Sequence, residues 1–365
     1  EISCSLVGSE MCIRDSGYTG EIVSESTFAS DVKLVIKFIE TLKSRYENDV
    51  EIKCGYEAGC LGYSLYKSLT ARGVDCVILA PTTMQVSAKN KMVKNDRMDA
   101  LNIAKNLASG SYKSVYVPGE EDVEIKEYIR MIHDFKKELK RVKQEICAFV
   151  LRHGYQYDGK SKWTIRYMNW IRELEMSEIQ RETLNEYIAE MENLNDKINR
   201  FMNRIDEMYQ SERYHEKVSK LRCFKGIETF AAMTIQVETA DFERFPSAKA
   251  YASYTGLTTG EHSSGDKNNR IGITKQGNTV IRKTLVECAQ SLVKGNVYAK
   301  KSQGLKSRQK GMDVNIIAYA DKATERLKKK YQKLIERNVP RNKAIVAVAR
   351  ELACFIWGME TGNIH

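Results

Sequence analysis

Ser263 and Ser264 stand side by side in the stretch Gly256-Leu257-Thr258-Thr259-Gly260-Glu261-His262-Ser263-Ser264-Gly265-Asp266-Lys267. The cations Lys267, Arg270, Lys275 and Arg282 follow closely, around Ile273-Thr274-Lys275-Gln276-Gly277-Asn278. A hydroxyl set among such cations suits attack on a phosphodiester, because the positive groups surround the scissile phosphate, stabilise its charge and lower the serine's effective pKa. Ser-Gly is also a frequent turn pair, and composition alone is satisfied by ordinary turn chemistry. His262 could act as base, although a lone neighbouring His is more often incidental.

A second group lies upstream. Asn95-Asp96-Arg97-Met98-Asp99-Ala100 carries two carboxylates three residues apart at a predicted helix start, so Asp96 and Asp99 project from nearly one face, as hard oxygen ligands for Mg²⁺ must. Acids are also common in first helical turns for capping and dipole reasons. Glu57 ends a predicted buried strand, the edge at which α/β domains place ligand groups. Three carboxylates sharing one edge repel one another without a cation, and a divalent pair would clamp the attacking and leaving oxygens of phosphoryl transfer.

The elements that must position these groups fall into three regions. From residue 20 to 118 strands and helices alternate: strands over Glu21–Phe28, Ile52–Glu57 and Cys76–Ala80, helices over Val32–Tyr46, Leu61–Arg72 and Asp96–Leu107. That alternation implies an α/β domain with a largely parallel sheet. From 119 to 216 the apolar residues recur at the 3.5-residue spacing of a coiled-coil seam, first from Val123 to Phe149 and again from Leu184 to Met208. The break at His153-Gly154-Tyr155-Gln156-Tyr157-Asp158-Gly159-Lys160 turns them into an antiparallel hairpin, with a short aromatic helix around Trp163 to Trp170 near its tip. From 217 to 365 the pattern is mostly α. In Cys223-Phe224-Lys225-Gly226-Ile227 a glycine precedes an apolar helix, and the turn reads either as a phosphate-holding half of a helix-hairpin-helix or as a plain helix start. Ser247 is the expected cap of the helix beginning at Ala248.

The 365 residues carry a formal net charge of +10, unevenly spread. Between Lys267 and Arg350 stand 21 Lys plus Arg against 5 acids, +16 locally, which leaves −6 for the remainder. A basic carboxyl-terminal third points to a polyanion, most commonly nucleic acid. Lys328-Lys329-Lys330 is the expected contact, with a solvated helix face as the alternative. Nine cysteines without close pairs fit reduced thiols of an intracellular protein, and no apolar run approaches a membrane span, so the chain reads as cytoplasmic.

Residues 1–19, from Glu1 through Met11-Cys12-Ile13-Arg14-Asp15-Ser16, lack the basic flank and cleavage site of a targeting peptide. They read as a foreign, adapter-like segment joined to a truncated frame, disordered and outside the fold.

Taken together, Tyr56-Glu57-Ala58-Gly59, Lys94-Asn95-Asp96-Arg97-Met98-Asp99-Ala100, Phe245-Pro246-Ser247-Ala248, Gly256-Leu257-Thr258, Ser263-Ser264-Gly265 and Thr274-Lys275-Gln276-Gly277-Asn278 resemble the DEDD-type transposases of bacterial insertion sequences, the bridge-RNA-guided recombinases. The likeness runs in order and spacing over about residues 20 to 360. It implies a RuvC-like, ribonuclease H-like α/β domain, a coiled-coil insertion that mediates oligomerisation, and a carboxyl-terminal domain with a catalytic serine. It further implies Mg²⁺ on the carboxylates, a covalent phosphoserine with DNA, assembly of the site between subunits, and a structured non-coding RNA that pairs with donor and target DNA. The second, third and fourth acids of that family map onto Glu57, Asp96 and Asp99. Its serine maps onto Ser264, with Ser263 as the fallback. The first acid belongs to an opening strand of the Gly-Ile-Asp-Val kind, and here the adapter-like segment stands in its place. Asp15 does not map onto it, which puts the activity of this chain, as distinct from its complete parent, in question.

Two other readings compete. In one, the carboxylates cut with water as a Mg²⁺-dependent junction-resolving nuclease and the serine loop only binds phosphate. In the other, the chain is an inactive nucleic-acid-binding or oligomerisation remnant of a transposase. The aromatics Tyr155, Tyr157, Trp163, Tyr167 and Trp170 could stack on unpaired bases, or serve core packing or subunit contact.

Overall fold

The computed structural model describes residues 2–7, 10–16, 22–29, 31–46, 50–59, 62–84, 96–261 and 270–364. The chain divides into two compact units, Glu1–Pro118 and Gly119–His365.

The first unit is built on strands β1 (Ile2–Val7), β2 (Glu10–Ser16), β3 (Ile22–Ala29), β4 (Ile52–Glu57) and β5 (Asp75–Leu79), in the order β3-β2-β1-β4-β5. β1 pairs antiparallel with β2, and β2 with β3, whereas β1, β4 and β5 run parallel. The sheet is therefore mixed rather than largely parallel. Consecutive strands joined by short links pair antiparallel, and only the helical crossovers α1 (Val32–Arg45) and α2 (Ser64–Thr70) permit parallel neighbours. Ile2–Val7 and Glu10–Ser16, read from the sequence as part of a foreign, disordered segment, are strands of this sheet. β1 sits beside β4 in the middle of the sheet, with Ser5 opposite Gly55, and closes an edge of β4 whose backbone groups would otherwise lack partners. The first strand is thus present in position, but Ile2-Ser3-Cys4-Ser5-Leu6-Val7 contains no carboxylate.

Side chains of β4 and β5 alternate between two faces. Cys54, Tyr56, Cys76 and Ile78 pack with Val35, Ile39 and Leu42 of α1 and with Leu65 and Leu69 of α2. The opposite face is covered by α3 (Asp96–Ser109), which crosses β4, β1 and β2. Gly55 belongs to that face, and a Cβ there would come within 2.7 Å of Leu79 and 2.9 Å of Leu107. The absence of a side chain at Gly55 lets α3 lie close to the sheet.

The second unit is helical. α4 (Glu120–Arg152) and α6 (Glu178–Tyr209) run antiparallel: Phe149 meets Tyr187 near one end, Tyr128 meets Phe201 towards the other, and α5 (Ile165–Arg172) packs at the turn end. Ser177 and Gln180 form a reciprocal capping box that starts α6. Next come α7 (Glu212–Arg222), α8 (Thr229–Thr239), α9 (Ala248–Tyr254) and a ribbon of β6 (Thr259–Glu261) with β7 (Arg270–Ile273). The chain then forms α10 (Thr279–Leu292), α11 (Gln303–Gln309), α12 (Val314–Glu336) and α13 (Arg341–Glu360). Every residue from Ala232 to Thr239 is buried, so α8 is an axis around which α4, α6, α7 and α10 pack.

Candidate functional site

Glu57 ends β4 two residues beyond Gly55, so by strand alternation it lies on the face covered by α3, opposite Leu79 in the ladder. Leu79 packs with Ile103 and Leu107 of α3. Asp99 is one turn before Ile103 and Asp96 opens the helix, which puts all three predicted acids on the α3 side of the sheet. Glu57 and Asp96 are exposed and Asp99 is half-buried. Their hard oxygens suit Mg²⁺ chemically. Among the described residues, however, no three His, Cys, Asp or Glu side chains converge closely enough to hold a metal ion. The three acids share one side of the sheet, and β1, the strand between β2 and β4, carries no acid.

The serine loop belongs to the second unit. Ser263, Ser264, His262 and Lys267 lie outside the described residues, as does the side chain of Arg270; the described residues form the base of the loop. Thr259 pairs with Ile273 and Glu261 with Arg270 across β6 and β7. Below that ribbon the amides of Thr274, Lys275 and Asn278 donate to the carbonyls of Thr258, Gly256 and Tyr254 at 2.8, 3.2 and 3.2 Å. Gly256 and Gly277 both adopt positive φ, 68° and 89°. A Cβ on Gly256 would fall 2.1 Å from the Gln276 carbonyl oxygen, and one on Gly277 2.0 Å from that of Tyr254. These glycines let the two limbs of the loop meet backbone to backbone. Lys275 is exposed and left-handed at φ 57°. Arg282 turns back into the base, its Nη1 donating to the Thr255 carbonyl at 3.1 Å.

Asn278 anchors this base. Its Oδ1 caps α10 by accepting from the amides of Val280 and Ile281, at 2.9 and 3.0 Å. Its Nδ2 donates to Glu238 Oε2 at 2.7 Å. Glu238 is wholly buried, accepts from Arg130 Nε at 2.9 Å and Nη2 at 3.2 Å, and has Lys126 Nζ at 3.4 Å. Burial opposes ionisation of Glu238, but the Arg130 hydrogen bond, the Lys126 charge and Asn278 outweigh it, holding the carboxyl below its usual range. Tyr254 hydroxyl donates to the Glu238 carbonyl, so helices α4, α8, α9 and α10 converge on one residue. Sequence reasoning missed this hub. The available signal was a lone acid in the apolar helix Thr229–Thr239, which requires a partner, and Lys126 and Arg130 four residues apart on α4.

Two predicted phosphate contacts are reassigned. Lys328 is buried and donates to the Asn296 carbonyl at 2.6 Å, while Lys329 pairs with Glu325 and Lys330 with Glu351. The turn at Lys225-Gly226 packs against α10, where a Cβ on Gly226 would meet the Cys288 carbonyl oxygen at 2.6 Å. Burial, and then the neighbouring Lys328, pull the Lys225 amine down to about 8. Ser247 caps α9 as expected, accepting from the Ala250 amide. Among the described residues no helix is long and apolar enough to cross a membrane.

Residues 9–154 match the model of the DEDD transposase domain of IS110-type elements, and residues 218–303 match the transposase model of the IS116/IS110/IS902 family. A putative transposase of Sinorhizobium fredii is 30% identical over 355 residues, covering 96% of this chain and 85% of the relative. The chain belongs to the IS110/IS116/IS902 transposase family. The transposase for insertion sequence element IS1533 of Leptospira borgpetersenii is 30% identical over 320 residues, 86% of this chain and 90% of the relative. That for element IS1111A of Coxiella burnetii is 22% identical over 281 residues, 75% and 76% of the two chains. The two matched regions divide the candidate residues between them: the first contains Glu57, Asp96 and Asp99, and the second contains the whole serine loop with Asn278 and Glu238.

Proposed function

We propose that this chain is a DNA transposase/recombinase that cuts and rejoins DNA during insertion-sequence transposition, with Ser264 as nucleophile and Ser263 as the fallback. The observation that carries the reading is the base of the serine loop, tied at Gly256, Gly277 and Asn278 to a buried ionic hub. Backbone hydrogen bonds from Thr274 to Thr258 and from Lys275 to Gly256 fix where the loop that carries the serines leaves and rejoins the fold. In the proposed step the serine Oγ forms a bond to phosphorus as one O–P bond of the DNA breaks. The leaving deoxyribose oxygen takes up a proton, and the serine's own proton passes to a nearby base. Lys267, Arg270, Lys275 and Arg282 are proposed to face the DNA phosphates around it.

Glu57, Asp96 and Asp99 are the residues proposed to hold Mg²⁺, which when bound neutralises charge on the reacting phosphate. A RuvC-like, ribonuclease H-like identity for the first unit is supported by the order β3-β2-β1-β4-β5 with α3 across one face. A nuclease domain that ends at 118 and includes β1 and β2, a hairpin over 119–216 and a carboxyl-terminal domain over 217–365, a coiled-coil role for α4 and α6 in forming a homo-oligomer, and a structured non-coding guide RNA as partner complete the proposal. They rest on the family and on the antiparallel packing of those two helices.

Trapping tests the serine route against the water route of a junction-resolving nuclease. A denaturation-resistant protein–DNA adduct that disappears in Ser264→Ala is the expected result. Cleavage that persists in both Ser264→Ala and Ser263→Ala, with no adduct at any time, would sink it. Because β1 carries no acid, the assay is run with this chain and with a version whose first strand bears an Asp.

A further inference from the structure

We infer that the groove at the turn end of the helical hairpin binds an unpaired nucleotide of a single-stranded nucleic acid, its base against the aromatic faces and its phosphates on the lysines. The inference rests on the proposed nucleic-acid partner and gives it a second site, remote in sequence from the serine loop. The groove has a volume of about 780 Å³ and lies wholly between α4, the 153–164 segment and α5. That is ample for a nucleotide, since ligand sites run from roughly 300 to 1,000 Å³. Lys140, Lys143 and Lys162 line it together with Tyr157, Trp163 and Trp170, and no Asp or Glu does.

Core packing accounts for only part of this array. Tyr167 is fully buried and bridges the others, 4.9 Å from Tyr157, 5.1 Å from Trp163 and 5.6 Å from Trp170 between ring centroids. Tyr157, Trp163 and Trp170 remain partly exposed. Trp163 holds a left-handed backbone at φ 66°, a conformation costly for a bulky residue, and Lys143 Nζ stands 5.3 Å from its ring centroid. An aromatic ring beside a cation, in a concavity lined by no Asp or Glu, suits a flat ring joined to an anion. Bases in a duplex are already stacked on both faces, so the array selects unpaired strands.

The full chain is irradiated with short oligonucleotides bearing a photoreactive thiopyrimidine, as RNA, as single-stranded DNA and as the matching duplex, and cross-linked peptides are mapped. The expected labels fall within residues 155–170 for the single strands and not for the duplex, and the more heavily labelled of the two single strands identifies the natural source. Trp163→Ala should weaken single-strand binding about tenfold. Lys140→Gln with Lys162→Gln should lower the slope of log affinity against log salt by about 1.4, two phosphates at roughly 0.7 each. Trp163→Gly removes the ring but suits the left-handed backbone, and should lose affinity to the same extent as Trp163→Ala while melting at a higher temperature than that variant. Labels confined to residues outside 155–170, equal labelling by duplex, or variants that shift oligomer size and leave affinity untouched would each overturn the inference. The Ser264 adduct is scored separately, so failure here leaves the proposed nucleophile standing.

Discussion

Asn278 Nδ2 and Glu238 Oε2 stand 2.7 Å apart, and this hydrogen bond joins the root of the serine loop to the ionic cluster of α4 and α8. Asn278 simultaneously caps α10, so one side chain sets both where the loop ends and where the helix starts. Glu238→Gln removes the charge that Arg130 and Lys126 compensate. Leaving a buried cation unpaired costs about 3–5 kcal/mol, a figure reduced here because Arg130 is partly exposed. A loss of roughly 2–3 kcal/mol is expected in urea unfolding, with about 1–2 kcal/mol for Asn278→Ala as a lost cap. The two should be non-additive in a double-mutant cycle, and simple additivity would show that the bond carries no coupling.

Gly256→Ala and Gly277→Ala test the backbone contact at the loop base. Both positions combine positive φ with a carbonyl oxygen about where the new Cβ would sit. Each substitution should cost more than about 2 kcal/mol, beyond the usual penalty for a left-handed residue, because backbone rather than a movable side chain obstructs it. Far-ultraviolet circular dichroism during thermal melting gives the readout. Gly272→Ala, with nothing within 4 Å, is the matched control and should change little.

Glu360 and His133 make opposite contributions to the pH dependence of stability. Burial raises the Glu360 carboxyl to about 7, so the folded state holds a proton that the unfolded chain releases. Its contribution is full below the ordinary carboxyl range near 4.3 and is lost as pH rises to about 7. Glu360→Gln should therefore stabilise the chain at about pH 8 by something on the order of 2 kcal/mol, with the gain shrinking towards about pH 4. Burial, then the charges of Lys283 and Lys136, lower the His133 imidazole to about 4. Stability drawn from neutral His133 is present above its ordinary value near 6.5 and lost as pH falls towards 4. Melting temperatures of His133→Gln and the parent across that window should diverge at the neutral end and converge at the acid end.

The three acids of the first unit are surface or half-buried groups, so Glu57→Gln, Asp96→Asn and Asp99→Asn should leave the melting temperature within about 1 kcal/mol equivalent of the parent. In the version with an Asp-bearing first strand, Mg²⁺-dependent DNA cutting should fall by about 100-fold or more for each, and chelation should abolish it. Cutting that is indifferent to all three substitutions would remove these residues from the chemistry.

Most element types were legible in the linear sequence, for local reasons. Capping residues and apolar periodicity mark α3 at Asp96, α9 at Ser247 and the long helices α4 and α6, and the short apolar runs mark β4 and β5. The glycines, serines and cations around 256–282 likewise announce themselves by type and spacing. Tertiary structure decided what local signals do not encode. It put β1 and β2, read from sequence as foreign, into the sheet, because an open edge beside β4 is satisfied by backbone pairing whatever the side chains. It buried Lys328 and paired its two neighbours, since a run of lysines on a helix faces three directions and only packing says which is inside. It also joined Glu238 to Asn278, Arg130 and Lys126, residues separated by 40, 108 and 112 positions, through close packing of four helices that no window along the chain can reveal.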